Sequence, residues 1–150
     1  MMTGELRAIW IKRAKLGPMD PVPQANLQAN RGIIGNADQG GTRQVTIIDE
    51  EIWSELMRQF QSELPPSTRR ANLMVRGIDL AASRNRILQI GEVQLRVRGE
   101  TKPCERMDQA LPGLRQAMHP QWRGGAFAQV LNDGTIRTGD PVCWVDLLKM

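Results

Sequence analysis

The chain has 150 residues and carries 20 lysines and arginines against 16 aspartates and glutamates, which gives a net charge of +4 at neutral pH. A chain of this length usually folds around one core, so we expect a single domain over residues 1–150. Its two cysteines and one histidine exclude a disulfide scaffold, a three-histidine zinc site and a two-histidine relay within the chain.

The first predicted elements are strands. Residues 6–11 form a short apolar run, which predicts a strand, and the glycine and prolines within 17–23 predict an exposed loop after it. A second strand is predicted over residues 44–48, because they follow the turn-rich residues 38–41.

The clearest helix signal begins at Asp49. The Asp49 side chain is suited to cap a helix, and Glu50 and Glu51 complement the positive N-terminal end of that helix. Five apolar residues then fall on one stripe at helical spacing: Ile52, Trp53, Leu56, Met57 and Phe60. We expect Pro65 and Pro66 to end the helix.

The second half of the chain predicts short strands separated by turns. We expect strands over residues 72–75, 87–90, 92–98, 126–131 and 142–147, and short helices over residues 103–107 and 111–118. Val93, Leu95 and Val97 alternate with polar residues, which is typical of a half-buried antiparallel strand. Residues 132–134 (Asn-Asp-Gly) predict a hairpin. The prediction is a mainly β fold with short helices, a closed or nearly closed β-barrel.

The sequence gives no membrane or export signal. No stretch approaches the roughly 18 uncharged apolar residues of a membrane helix. Charged residues interrupt residues 1–15, which therefore lack the apolar run of a signal peptide. We expect a cytoplasmic protein with no membrane partner and with reduced cysteines.

Cys104 is the residue most suited to chemistry. It follows Pro103, which favours the first turn of a helix, and it lies between Lys102 and Arg106. Helix N-terminal amides and nearby cations favour a thiolate, which is both a nucleophile and a soft metal ligand. The alternative is a buried cysteine that packs as a small apolar residue. Cys143 lies in an apolar strand without flanking cations, and we expect it to be such a core residue.

Arginine dominates the positive charge of the chain. Sixteen of the 20 cationic residues are arginines, and seven of these lie between Arg69 and Arg98, where the only acids are Asp79 and Glu92. Guanidinium groups suit oxyanions better than ammonium groups do. The simpler alternative is that half of this cluster is a solvated strand face.

An oxyanion site is predicted where arginine stands beside an amide. Arg70 and Asn72 are two residues apart at the start of a predicted strand, so their side chains should point to the same face. A guanidinium beside an amide is suited to hold a phosphate or a carboxylate. Arg43 and Gln44, at the start of another predicted strand, would add a further donor.

Five segments of the chain, taken in order, resemble the landmarks of the MOSC domain. This domain occurs at the C-terminus of molybdenum cofactor sulfurases and as a standalone bacterial protein. The matching segments are residues 35–48, 70–80, 90–92, 103–107 and 134–142. No single segment is decisive, but their common order makes the resemblance specific over nearly the whole chain.

The resemblance implies a β-barrel in which Cys104 carries persulfide sulfur or ligates molybdenum. In the molybdenum-binding members, exemplified by the mitochondrial amidoxime-reducing component, four matching residues help hold the pterin cofactor and its phosphate. Here they are Arg43, Gln44, Arg70 and Asn72. Lys102 and Arg106, which flank Cys104, complete the predicted cofactor-binding residues. Lys102 stands where that relative has a serine.

We therefore expect a protein that binds molybdenum cofactor (molybdopterin) or carries sulfur at Cys104, in an arginine-lined anion pocket. The implied sulfur donor is a pyridoxal phosphate-dependent cysteine desulfurase. One alternative is a molybdenum-dependent reductase of N-hydroxylated compounds. Because the chain shows neither the additional N-terminal domain nor the C-terminal extension of larger relatives, its electrons would come from separate electron-transfer proteins. A second alternative is an arginine-rich nucleic-acid-binding barrel, which the scarcity of aromatic residues disfavours.

Overall fold

The computed structural model describes residues 3–145, which form eleven strands and three short α-helices. The strands are β1 (Gly4–Lys12), β2 (Met19–Val22), β3 (Gln24–Gln28), β4 (Gly32–Ile33), β5 (Val45–Asp49), β6 (Leu73–Arg76), β7 (Ile87–Ile90), β8 (Val93–Glu100), β9 (Ala126–Val130), β10 (Gly134–Arg137) and β11 (Pro141–Trp144). The helices are α1 (Glu50–Gln59), α2 (Glu105–Ala110) and α3 (Leu114–Ala117), and 3₁₀ turns span Pro66–Arg69 and Pro120–Trp122. Within these residues, no helix is both long enough and apolar enough to cross a bilayer.

Seven of these strands close into a barrel. Their order is β11–β7–β8–β9–β5–β6–β1, and β1 pairs back onto β11. Neighbours are antiparallel except for β5 and β6, which run parallel and are connected through α1. Closure removes the exposed edges that an open sheet would present. The predicted barrel of mainly β structure with short helices is therefore confirmed.

Apolar side chains from alternate strand positions fill the barrel. In β8, Val93, Leu95 and Val97 are buried, whereas the residues between them are half-buried. The predicted alternation is therefore confirmed. The same interior cluster takes apolar residues from β1, β5, β6, β7 and β9, so the barrel strands share one core.

Helix α1 begins where the sequence predicts. The Asp49 carboxylate accepts the backbone N–H groups of Glu51, at 2.8 Å, and Ile52, at 3.4 Å. Burial raises the pKa of Asp49, an effect larger than that of these two hydrogen bonds, which lower it. The helix ends at Gln59, well before the prolines. Pro66 instead opens a 3₁₀ turn, a position where its missing N–H is not needed.

The apolar face of α1 packs against the other two helices. Trp53 and Met57 of α1 share a buried cluster with Met107 of α2 and Leu114 of α3. Helices α2 and α3 lie between β8 and β9 in the chain. This cluster therefore anchors the segment that contains Cys104 to the helix that follows β5.

Two predictions about connections are wrong. Part of the expected loop over residues 17–23 is strand β2, which pairs with β1, and Pro21 is tolerated because β2 is an edge strand. The hairpin expected at 132–134 does not form, because β10 pairs with β3 rather than with β9. Asn132 instead accepts the backbone N–H of Gln94 at 2.7 Å. Strands β3, β4 and β10 form a separate three-stranded sheet that the sequence did not indicate.

The last predicted strand, residues 142–147, corresponds to β11, and residues 146 and 147 lie outside the described residues. Val142 belongs to the barrel core and is fully buried. Cys143 alternates with it and is only half-buried. The expected core position of Cys143 is therefore wrong, because strand alternation turns its side chain away from the interior.

The glycine just before β9 tests how tightly β5 and the start of β9 are packed. A Cβ at Gly125 would lie 2.2 Å from the carbonyl oxygen of Ile47, whereas a Cβ at Gly139 would meet nothing within 4 Å. Both glycines have positive φ, +103° and +95°. We expect Gly139→Ala to lower the free energy of unfolding by about 1–3 kcal/mol through backbone strain alone. Gly125→Ala should lower the free energy of unfolding by about 1–3 kcal/mol more than this through overpacking. Urea unfolding measures both, and equal losses would contradict the close packing.

Candidate functional site

A cavity of about 210 Å³ lies on the outside of the barrel, where β5, the 3₁₀ turn after α1 and the start of α2 meet. Five of its lining side chains are cationic: Lys12, Arg43, Arg69, Arg70 and Arg106. Cys104 lies among them, and none of the described lining residues is acidic. The cavity therefore combines one thiol with a concentration of positive charge.

Cys104 is exposed at the start of α2. It is the N-cap residue, its backbone is extended, and its carbonyl accepts the N–H of Met107 at 2.9 Å. Its side chain makes no capping hydrogen bond. The helix starts at Glu105, so Pro103 precedes the cap and does not stand in the first turn as expected. The thiol is accessible from the cavity, which contradicts the alternative of a buried packing cysteine.

Arg69 fixes the segment that leads to Cys104. Its Nε donates to the carbonyl of Gly124 and its Nη2 to the carbonyl of Thr101, each at 3.0 Å. The Thr101 hydroxyl also donates to the Gly124 carbonyl, at 2.8 Å. Arg69 therefore joins the end of β8 to the chain just before β9.

The pKa of Arg69 depends on its burial and on its charged neighbours. Burial lowers the pKa of the guanidinium below its ordinary value. The negative charge of a Cys104 thiolate opposes this shift, and the positive charge of Arg43 adds to it. Since a guanidinium is not deprotonated in proteins, Arg69 keeps its charge beside the thiol.

The structure places Arg70 and Asn72 differently from the prediction. Arg70 adopts a left-handed conformation, with φ 63° and ψ 34°, and strand β6 starts only at Leu73, so the pair does not share a strand face. Arg70 lines the cavity, and its Nη2 donates to the carbonyl of Gly17 at 2.6 Å. The predicted shared face of Arg70 and Asn72 is therefore wrong, although Arg70 reaches the cavity.

Asn72 is buried, and its amide is engaged within the chain. Its Nδ2 donates to the carbonyl of Trp10 at 3.2 Å and to Oδ1 of Asn36 at 3.1 Å. Its Oδ1 accepts the backbone N–H of Thr46 at 3.2 Å. Asn72 lines a recess of about 60 Å³ beside the cavity.

Arg43 connects the cavity to this recess. Arg43, Lys12, Thr46 and Arg70 line both spaces, which makes them continuous. The Arg43 guanidinium is exposed and lies 5.8 Å from the centre of the Phe127 ring.

Gln44 also lines the recess but is only 2% exposed. Its Nε2 donates to the carbonyl of Gly41 at 2.8 Å, and its Oε1 accepts the N–H of Val130 at 3.0 Å. Both ends of this amide therefore bind backbone groups, one in the loop before β5 and one in β9.

The two cations that flank Cys104 in the sequence separate in space. Arg106 is exposed and lines the cavity, whereas Lys102 is exposed and does not line it. Sequence reasoning did not select Lys12, whose Nζ lies 2.8 Å from a carboxylate oxygen of Asp38. It also did not select Arg69. The Pro-Pro-Ser-Thr segment before Arg69 was the available signal, because a tight turn, unlike a strand, can direct consecutive side chains to one side.

The described residues offer no metal site made of protein ligands alone. Within residues 3–145, no three histidine, cysteine, aspartate or glutamate side chains are grouped so that they could hold a metal ion. A larger open cleft of about 730 Å³ lies along α1, but no cysteine lines it. Of these two cavities, only the smaller one is lined by a thiol, that of Cys104.

Arg69 and Arg106 provide a matched pair of substitutions. Arg69→Met would leave the carbonyls of Thr101 and Gly124 without this donor, and we expect the free energy of unfolding to fall by about 2 kcal/mol or more. Arg106→Met removes an exposed guanidinium from the same cavity and should cost less than about 0.5 kcal/mol. Urea unfolding at neutral pH measures both. Equal small losses would show that Arg69 does not hold this segment.

Comparison with known proteins agrees with this description. A family model for the MOSC domain matches residues 30–143. No curated protein gives a significant match. Solved structures with a similar fold include the YUAD protein from Bacillus subtilis (TM-score 0.78, 21% identity, 94% of each chain), YiiM from Geobacillus stearothermophilus (0.77, 16%, 94% of this chain and 74% of that one) and YiiM from Escherichia coli (0.70, 17%, 93% and 69%). At these identities the structures support the fold alone, whereas the family model spans most of the sequence. The chain belongs to the MOSC domain family.

Proposed function

We propose that this MOSC domain binds molybdenum cofactor or carries sulfane sulfur, and that Cys104 is the metal ligand or the persulfide-bearing group. The observation that carries the proposal is the exposed Cys104 thiol in a cavity lined by four arginines and a lysine. A thiolate is a soft metal ligand and a sulfur nucleophile, and guanidinium groups recognise oxyanions. Both forms of the proposal use the same residues.

The residues present fit molybdenum cofactor. Because the described residues offer no cluster of three protein ligands, a metal here must arrive with most of its own ligands. Molybdenum cofactor does so, since its pterin supplies sulfur ligands and also carries a phosphate. The protein then needs only one thiolate and a set of phosphate-binding cations, which is the donor set of the cavity.

The phosphate would be held by guanidinium groups that keep donors available. Arg43 and Arg106 are exposed, and Arg70 commits one nitrogen to the carbonyl of Gly17. Gln44 and Asn72 hold the wall of the adjoining recess through their amide hydrogen bonds. Lys102 does not line the cavity and would contribute only through the long-range field of its positive charge.

When bound, the cofactor supplies a redox-active molybdenum centre. The chain itself would contribute a metal ligand and the residue that supports it. Cys104 offers its Sγ as a ligand, and Arg69 keeps the segment before Cys104 in place. The positive charge of Arg69 lies close enough to Cys104 for the two groups to interact electrostatically.

The sulfur-carrier form needs one thiol exchange. The Cys104 thiolate attacks the outer sulfur of a donor persulfide, so that a new S–S bond forms on Cys104 while the S–S bond of the donor breaks. The donor sulfur leaves as a thiolate with the electron pair of that bond. No external oxidant is required, because the sulfane sulfur is passed on at the same oxidation level.

The proposed chemistry requires a sulfur donor and a compartment in which the thiol stays reduced. A cysteine desulfurase that uses pyridoxal phosphate is a chemically suitable sulfur donor, since it presents a persulfide. We place the protein in the cytoplasm, because a reducing compartment keeps an exposed thiol free.

The metal-ligand form is tested by cofactor content. The protein is purified from a host that makes molybdenum cofactor, and bound molybdenum and pterin are measured for the natural chain, Cys104→Ser and Cys143→Ser. We expect equimolar molybdenum and pterin in the natural chain and in Cys143→Ser, and a loss of at least about tenfold in Cys104→Ser, because the metal loses its protein ligand. Absence of both from the natural chain, or equal content in all three proteins, would contradict the ligand form.

The carrier form is tested by sulfur loading. After treatment with an inorganic polysulfide, denaturing mass spectrometry should show one added sulfur on the natural chain and on Cys143→Ser. Cys104→Ser should gain none, because Cys143 is partly covered and lies outside the cationic cavity, whereas Cys104 is exposed within it. Loading on Cys143 alone, or on neither cysteine, would exclude the carrier form.

A further inference from the structure

A second positively charged surface lies on the outside of the barrel, beside the Cys104 cavity. It is formed by Arg43, Arg84, Arg96 and Arg98 together with the rings of Phe127 and Trp122, and we refer to it as the basic face. Arg96 and Arg98 lie on the outward positions of β8, and Phe127 lies on the outward side of β9. The cavity itself does not include Arg84, Arg96 or Arg98.

The basic face and the cavity are continuous. Phe127 lies opposite Thr46 in the pairing of β9 with β5, and Thr46 lines the cavity. Arg43 lines the cavity as well, and its guanidinium lies 5.8 Å from the centre of the Phe127 ring. A molecule seated on the basic face would therefore border the entrance to Cys104.

A glycine brings the arginines and rings together. In β8, Gly99 pairs with Phe127, and a Cβ at this position would lie 2.7 Å from that ring and 3.1 Å from Nη1 of Arg84. Arg84 also lies 6.0 Å from the centre of the Trp122 ring. The missing side chain of Gly99 thus allows the Arg84 guanidinium and the Phe127 ring to meet over the backbone.

Two arginines of this surface, Arg84 and Arg96, are held in place but keep their charge for a partner. Arg84 donates to the carbonyl of Arg98 at 2.6 Å, and Arg96 donates to the carbonyl of Asn85 at 2.9 Å. Among the described residues, neither of them forms an ion pair with a carboxylate. Fixing both guanidinium groups on the backbone lowers the entropy cost of binding an anionic group.

The chemistry favours carboxylates on a protein over a nucleic acid. Single-stranded nucleic acids bind by stacking bases on open aromatic faces. Here Phe127 and Trp122 are half-buried, and arginine side chains lie near both rings. Arginine and aromatic residues are enriched in protein interfaces.

We propose that the basic face is a docking surface for an acidic protein that exchanges cargo with the Cys104 cavity. The exchange of cargo rests on the proposed function, whereas the docking itself rests on the arginines of the basic face. Complementary charge would steer the partner onto the surface and orient it toward the cavity.

The probe is fluorescently labelled poly-L-glutamate, with binding followed by anisotropy at increasing salt. The test variant is the double substitution Arg84→Glu and Arg96→Glu. The control, Arg58→Glu and Arg115→Glu, removes the same charge from exposed positions on α1 and α3. We expect the test variant to lose at least about tenfold in affinity and the control less than about threefold, because only the first pair lies on the basic face.

Three results would overturn the proposal. The first is that the natural chain does not bind poly-L-glutamate. The second is that the two double variants lose equal affinity for it. The third is that the natural chain binds a single-stranded oligodeoxynucleotide of equal charge more tightly than poly-L-glutamate and that the test variant no longer binds this oligonucleotide. Circular dichroism and thermal unfolding confirm that the variants fold, and a misfolded variant is replaced by Arg84→Gln and Arg96→Gln. Sulfur loading from inorganic polysulfide should be unchanged in the test variant. A failure of docking is thereby distinguished from a failure of Cys104 chemistry.

Discussion

The guanidinium of Arg69 is the contact on which the site depends. It binds the carbonyls of Thr101 and Gly124, which belong to the two chain segments that leave and re-enter the barrel around the helical insertion. The group that joins these segments also brings a positive charge beside Cys104. Structural support of this segment and positive charge beside Cys104 therefore come from one side chain, and a substitution of Arg69 affects both.

The barrel topology explains why these residues meet. Strands β8 and β9 are antiparallel, and Glu100 at the end of one lies opposite Ala126 at the start of the other. The segment containing α2 and α3 must therefore leave and return at the same edge, which brings Cys104 and Gly124 together. Strand β5 runs antiparallel to β9 and parallel to β6, so Arg43 and Arg70, which precede β5 and β6, come from the opposite end of these strands. Both line the cavity together with Thr46 of β5, so the cavity receives cations from both ends of these strands.

The fold was predictable where apolar periodicity is strong. The alternation in β8 and the Asp49 cap lead directly to the observed strand and helix. The pairing of β10 with β3 was not predictable, because a turn signal at 132–134 does not specify which strand lies alongside. At the site, the sequence identified Cys104, Arg43 and Arg70, but it did not distinguish cavity-lining arginines from those on the outer strand face. That distinction depends on left-handed backbone at Arg70 and on long-range hydrogen bonds, neither of which leaves a periodic pattern.

We propose that the cargo, whether cofactor or sulfur, is held at Cys104. The test is alkylation by iodoacetamide, followed by mass spectrometry of both cysteine peptides. Cofactor-loaded protein is compared with cofactor-free protein, and sulfur-loaded protein with untreated protein. We predict that bound cofactor blocks carbamidomethylation of Cys104. Sulfur loading should instead place the carbamidomethyl group on the added outer sulfur of Cys104, and Cys143 should react unchanged in both cases. Carbamidomethylation directly on the Cys104 Sγ of loaded protein, at the same rate as in the cargo-free chain, would contradict this.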